Sequence, residues 1–137
     1  MSVPLSVKIV ENELDIAHLF SLCLERFGFN TTSFTEPLLA LDHFKQYPRR
    51  YCLILLDMFM NDLNGIELSK EIRKYDSHVK ILLITGDCIG DISHSIDYKE
   101  AKISDVILKP VNFEKLGPHI LQLCSRNKVV DNTSKTR

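Results

Sequence analysis

Four short runs rich in Val, Ile and Leu limit what this chain can fold into: VKIV (7–10), YCLILL (51–56), VKILLIT (79–85) and DVILK (105–109). They do not alternate cleanly between polar and apolar residues. They therefore read as strands buried on both faces, the pattern of a parallel sheet. A weaker fifth run, NTTSF (30–34), has the β-branched content of an edge strand. Parallel neighbours need long crossovers, and helix-length segments separate every pair of runs.

The first of these segments follows Glu13, where Ile16, Phe20, Cys23, Leu24 and Phe27 recur at helical spacing and Gly28 marks a stop. In the second, Thr35 is the expected N-cap, Pro37 lies in the first turn, and Ala40, Leu41 and Phe44 face inward. IELSKEIRKY (66–75) sets Leu68 and Ile72 four apart. CIGDISHSIDYKEA (88–101) puts Ile89, Ile92 and Ile96 on one side, although β-branching and Gly90 make it a poor helix former. The last segment, from Asn112, carries Phe113, Leu116, Ile120 and Leu123, with Pro118 expected to kink it or delay its start. The sum is an α/β fold: a single-domain (βα)5 doubly wound parallel sheet with right-handed crossovers and expected strand order 2-1-3-4-5. Residues 1–124 form the domain, and the polar stretch 125–137 reads as a frayed tail or the start of a linker.

Strand ends then carry the chemistry. Glu11, Asn12 and Glu13 follow the first run, Asp57 the third, Thr85 ends the fourth and Lys109 the fifth. In an open parallel sheet the carboxyl ends share one edge, and ligands bind where the strand order reverses. With order 2-1-3-4-5 that crevice lies between strands one and three, so Glu11, Asn12 and Asp57 converge with Thr85 and Lys109 beside them. Carboxylates and an amide oxygen are hard ligands suited to Mg2+. Lys109 and a metal together neutralise a phosphoryl group, the Thr85 hydroxyl can donate to it, and Asp57 can act as its nucleophile. Gly86 leaves space beside Thr85, and Gly65 permits a tight loop after Asp57.

The stretches IVENELDI (9–16), LILLDMFMNDLNGIEL (53–68), LLITGD (82–87) and DVILKPVN (105–112) resemble, in order and placement, the receiver domain of two-component response regulators. The resemblance covers about residues 6–124 and suggests a chemotaxis-type single receiver with a flavodoxin-like fold. It implies that Asp57 accepts a phosphoryl group from a histidine kinase or phosphotransfer protein. It further implies that Glu11, Asn12, Asp57 and the Phe59 backbone carbonyl hold Mg2+, and that Thr85 and Lys109 respond to the phosphoryl group. Three positions depart from the family pattern. Asn12 stands where a second metal-binding aspartate is usual, which implies weaker Mg2+ binding. Asn61 replaces the usual loop proline, and Val106 occupies the place of a switch aromatic.

The other classes have less support. A net charge of -1 favours neither nucleic acid nor anionic membrane. No basic DNA-binding segment is present, and no apolar run approaches the roughly 18 residues that span a bilayer. The N-terminus lacks a secretory pattern, so the expected location is cytoplasmic. The four cysteines, Cys23, Cys52, Cys88 and Cys124, are far apart and read as thiols, with the exposure of Cys88 left open. A phosphatase of the haloacid dehalogenase type needs an aspartate where Phe59 stands, and a flavin carrier needs a phosphate-cradling loop after the first strand. The reading is a signalling module that assists only its own phosphoryl transfer and hydrolysis. Its expected partners are a kinase and a downstream output protein or domain, and homodimerisation is left open. The alternative is a degenerate receiver that binds partners without phosphorylation.

Overall fold

The structure, a computed structural model, describes residues 4–86, 90 and 92–136, with side chains through residue 125. Five parallel strands form one sheet: β1 (Ser6–Val10), β2 (Asn30–Phe34), β3 (Leu53–Asp57), β4 (Lys80–Thr85) and β5 (Asp105–Leu108). Their order is β2-β1-β3-β4-β5, as the sequence reading expects. The helices are α1 (Leu14–Arg26), α2 (Pro37–Gln46), α3 (Gly65–Arg73), α4 (Ile96–Ala101) and α5 (Phe113–Thr136).

Side-chain alternation along the strands divides the core in two. Ile54, Leu56, Ile81 and Leu83 face α2 and α3, where Ala40, Leu41, Phe44, Leu68 and Ile72 close the layer. Leu53, Leu55, Leu82 and Ile84 face the other way, onto Phe20 and Leu24 of α1 and Leu116, Ile120 and Leu123 of α5. β3 is buried along its whole length, which a central strand covered on both sides requires. β5 is not: its residues are exposed or half-buried, because it is the sheet's second edge.

Local chemistry sets the helix ends. Gly28 has φ 106°, a conformation that glycine adopts without a Cβ penalty. Its N–H donates to the Glu25 carbonyl, and the Phe29 N–H to the Leu24 carbonyl, which closes α1 in a Schellman motif. α2 is flanked by Glu36 rather than the expected Thr35, and no side chain caps it. α3 has a reciprocal capping box: Asn64 Oδ1 accepts from the Glu67 N–H, and Glu67 Oε1 accepts from the Asn64 N–H, both at 2.8 Å.

Two helices differ from expectation. α4 starts only at Ile96, after a Ser95 cap and a 3-10 turn at Ile92–His94. Ile92 still packs on the core, but Ile96 points to solvent, 68% exposed. Ile89 and Cys88 lie outside the described residues. α5 begins at Phe113 in spite of Pro118, and its backbone runs to Thr136. Gly117 lets α5 close on α1, since a Cβ there would lie 2.6 Å from the Phe27 ring.

Candidate functional site

Asp57 ends β3 and is 5% exposed. Its backbone is fixed on both sides: the next residue, Met58, donates to the Ile84 carbonyl at 2.7 Å and accepts from the Gly65 N–H at 2.8 Å. Gly65 is required here for close approach. A Cβ at this position would meet Leu83 Cδ1 at 2.5 Å and the Asp57 carbonyl oxygen at 2.8 Å. The N-terminus of α3 therefore packs directly on the strand end that carries the acid.

The Asp57 carboxylate accepts from two donors. Oδ2 accepts from Lys109 Nζ at 3.2 Å, and Oδ1 accepts from the Phe59 N–H at 3.3 Å. Lys109 is brought in by backbone pairing, its N–H donating to the Thr85 carbonyl at 2.8 Å. Thr85, 1% exposed, is thereby held one strand away from the acid.

Glu11 reaches the same point from β1. It is 2% exposed, its N–H donates to the Phe34 carbonyl, and its Oε2 accepts from the Glu13 N–H at 3.0 Å. Burial pushes its carboxyl up to about 7, and contact with the Asp57 carboxylate pushes in the same direction, while the Glu13 N–H and Lys109 oppose both. Asn12 is half-buried in the turn that follows, and Glu13 is exposed. A cavity of about 450 Å3 opens beside Glu11, Gly86 and Lys109. Gly86 needs no special space, since a Cβ there would meet Lys109 at an ordinary 4.0 Å.

Two carboxyl groups forced together in a buried crevice favour a cation between them. Glu11 and Asp57 supply carboxylate oxygens, and the hydrogen bond from the Phe59 N–H holds that stretch of backbone next to Asp57. This donor set suits Mg2+, which takes one or two carboxylates and completes its shell with water. No group of three or more His, Cys, Asp or Glu among the described residues is placed to hold a metal ion.

Sequence reasoning brought Glu11, Asp57 and Lys109 to one place, with Thr85 alongside. Reading VKIV as buried on both faces puts Lys8 inside, but that reading did not single out the lysine, which is fully buried. Val106, the departure on β5, is half-buried against the core layer on the α2 and α3 face. No described helix is long and apolar enough to cross a membrane.

Comparisons with known proteins agree with this geometry. The family model for the response regulator receiver domain matches residues 7–121. A transcriptional regulatory protein, the CpxR homolog of Haemophilus influenzae, is 32% identical over 119 residues, which cover 87% of this chain and 50% of the relative. The response regulator receiver protein CpdR of Brucella abortus is 26% identical, over 80% of this chain and 88% of its own length. Apart from such short relatives, the chain spans about half or less of the curated relatives it matches. Among solved structures, a receiver domain protein from Clostridium thermocellum superposes with a TM-score of 0.80 at 22% identity, covering 92% of this chain and 98% of its own. The chemotaxis protein CheY4 of Vibrio cholerae gives 0.79 at 20% identity, covering 88% and 99%. At these identities the two structures speak for the fold.

Proposed function

The chain belongs to the response regulator receiver domain family, and from that premise we propose that it is a phosphorylation-controlled switch whose phosphoacceptor is Asp57. Receiver domains are signalling domains rather than enzymes in the ordinary sense, and they pair with histidine kinases and output domains. The observation that carries the reading is the setting of Asp57, a buried strand-end carboxylate held between Lys109 Nζ at 3.2 Å and the Glu11 carboxyl.

In the proposed transfer an Asp57 oxygen attacks the phosphorus of a kinase phosphohistidine, and the phosphorus–nitrogen bond breaks. Lys109, already paired with Asp57, stays with the growing negative charge as it moves onto the phosphoryl oxygens. The Thr85 hydroxyl donates to one of those oxygens, which draws the end of β4 toward the modified residue. Glu11, Asp57, the Phe59 carbonyl and, more weakly, Asn12 would hold Mg2+, which would supply charge neutralisation there. The same groups support slow hydrolysis of the acyl phosphate. The modified state changes affinity for an output protein or domain. The reading includes a cytoplasmic site of action and no direct contact between this chain and nucleic acid. With Val106 on β5, the conformational signal leaves without an aromatic side chain at that position.

The test is incubation with acetyl phosphate and Mg2+, followed by intact mass. The expected result is one phosphoryl adduct on the native chain and none on Asp57→Asn. An adduct that survives Asp57→Asn, or no adduct at any Mg2+ concentration, overturns the reading. Asn12→Asp restores a ligand charge and is expected to tighten Mg2+ binding about tenfold. Unchanged affinity in that variant would remove the role given to Asn12.

A further inference from the structure

The four cysteines look unrelated in sequence, yet two of them meet at the sheet edge opposite the acids. Cys52 precedes β3, and its backbone is locked into the sheet: its N–H donates to the Ser6 carbonyl at 2.9 Å, and its carbonyl accepts from the Lys80 N–H at 3.1 Å. Cys124 lies on α5, one turn beyond the buried Ile120, and so on the helix face that packs against the sheet. The Cys124 thiol donates to the Cys52 sulfur with the two Sγ atoms 2.7 Å apart. That is only about 0.7 Å longer than a disulfide bond of roughly 2.05 Å.

We propose that Cys52 and Cys124 form a reversible redox pair, which a peroxide oxidises to an intramolecular disulfide fastening α5 to the start of β3. Access, nucleophile and partner are all present. Both cysteines are partly exposed and line a cleft of about 220 Å3 together with Arg49, Asp76, His78 and Lys80. The hydrogen bond from Cys124 lowers the Cys52 thiol below its ordinary range, and the same bond raises Cys124. The two sulfurs act as a pair, and either can attack while the other resolves. Cys23 differs: its thiol donates to the Phe113 carbonyl at 3.3 Å, and burial pushes it up.

The reaction balances in two steps. One thiolate of the pair attacks one peroxide oxygen, the O–O bond breaks, and hydroxide leaves to give a sulfenic acid and, with a proton, one water. The partner sulfur then displaces the sulfenic oxygen, a second water leaves, and the S–S bond forms. Two thiols have been oxidised and one peroxide reduced. The pair sits five residues before Asp57, roughly 16 Å along the strand at about 3.3 Å per residue. Oxidation thus acts on α5 away from the phosphoacceptor crevice, and it tethers the helix whose backbone continues to Thr136.

The test treats the full chain with hydrogen peroxide, then measures intact mass and maps peptides without reductant. The expected product is monomeric and lighter by about 2 Da, the two thiol hydrogens. It carries a Cys52–Cys124 linked peptide pair and reverts with dithiothreitol. Cys23→Ser keeps the linkage. Cys52→Ser and Cys124→Ser each abolish the linkage, and dimedone traps any sulfenic acid left on the remaining cysteine. A linkage through Cys23 or Cys88, an intermolecular disulfide, or free alkylation of both thiols after peroxide overturns the proposal. The wild-type peptide map decides the matter even where a serine variant folds poorly. Asp57 labelling by acetyl phosphate is read separately, so neither result depends on the other.

Discussion

Lys8 of β1 and Asp57 of β3 are both charged, both buried, and placed on adjacent strands of one sheet. Lys8 is 0% exposed and is enclosed by its own fold. Its Nζ donates to the Ala40 carbonyl at 2.9 Å and lies 4.9, 5.3 and 5.1 Å from the ring centroids of Phe34, Phe44 and Tyr51. A carbonyl and three aromatic faces suit a cation but do not replace water in full, so burial brings its pKa down to about 8. Asp57, by contrast, meets another acid as well as Lys109. Equal burial thus has two meanings. The lysine's charge is met by its own fold, whereas two acids share a single lysine.

The largest effect is expected at the lysine. Lys8→Met keeps the volume and removes the buried charge, which at neutral pH is expected to raise stability by about 1–3 kcal/mol. The pH dependence sharpens this. The folded chain gives up the Lys8 proton near pH 8, while the unfolded chain holds it to about 10.5. Between those values the unfolded state binds more protons, so native stability rises with pH, by up to about 3 kcal/mol from this group. The advantage of Lys8→Met should therefore shrink across that window, read from urea midpoints of both proteins. A constant difference from pH 7 to 10.5 would show that Lys8 titrates like an exposed lysine and would break the contrast.

The acid end relies on backbone closeness where the lysine end relies on side chains. Gly65 has no room for a methyl group between the Asp57 carbonyl, Leu56 and Leu83. Gly65→Ala is expected to cost roughly 1–3 kcal/mol by overpacking. It should also slow adduct formation at position 57, because the acid's own carbonyl must shift. Full stability together with native labelling kinetics would mean that α3 can back away without disturbing the crevice.

The same contrast explains what was legible in the sequence. Asp57 stood out because an unbroken apolar run ended on it, and Glu11 and Lys109 joined it through a topological rule that needs only strand order. Lys8 sits in a run read as buried on both faces, yet nothing in that run says what surrounds a buried ammonium. Its cage comes from β2, α2 and the approach to β3, and no spacing links Phe34, Phe44 and Tyr51. The α3 capping box was visible as Asn64 and Glu67 three apart, a signal that hydrophobic periodicity passes over. Ile96 shows the reverse error. Its spacing from Ile92 suggested a shared face, but the Ser95 cap restarts the helix and turns the side chain outward.

The smallest effect tests whether the acid pair is held at a cost to the fold. Glu11→Gln removes one of two like charges that burial forces together, while keeping the shape and an acceptor for the Glu13 N–H. Without metal, at pH 8, the variant is expected to be more stable than the native chain by about 1 kcal/mol, the size of gain found when functional strain is removed. Mg2+ should then reverse the ranking. It stabilises whatever binds it in the folded state only, and the native pair has the charge that the variant lacks. Thermal melts with and without Mg2+ read both halves. A native chain already more stable without metal would mean that Lys109 and the backbone donors satisfy Glu11 and Asp57 as fully as the aromatic cage satisfies Lys8, and the distinction between the two buried charges would fall.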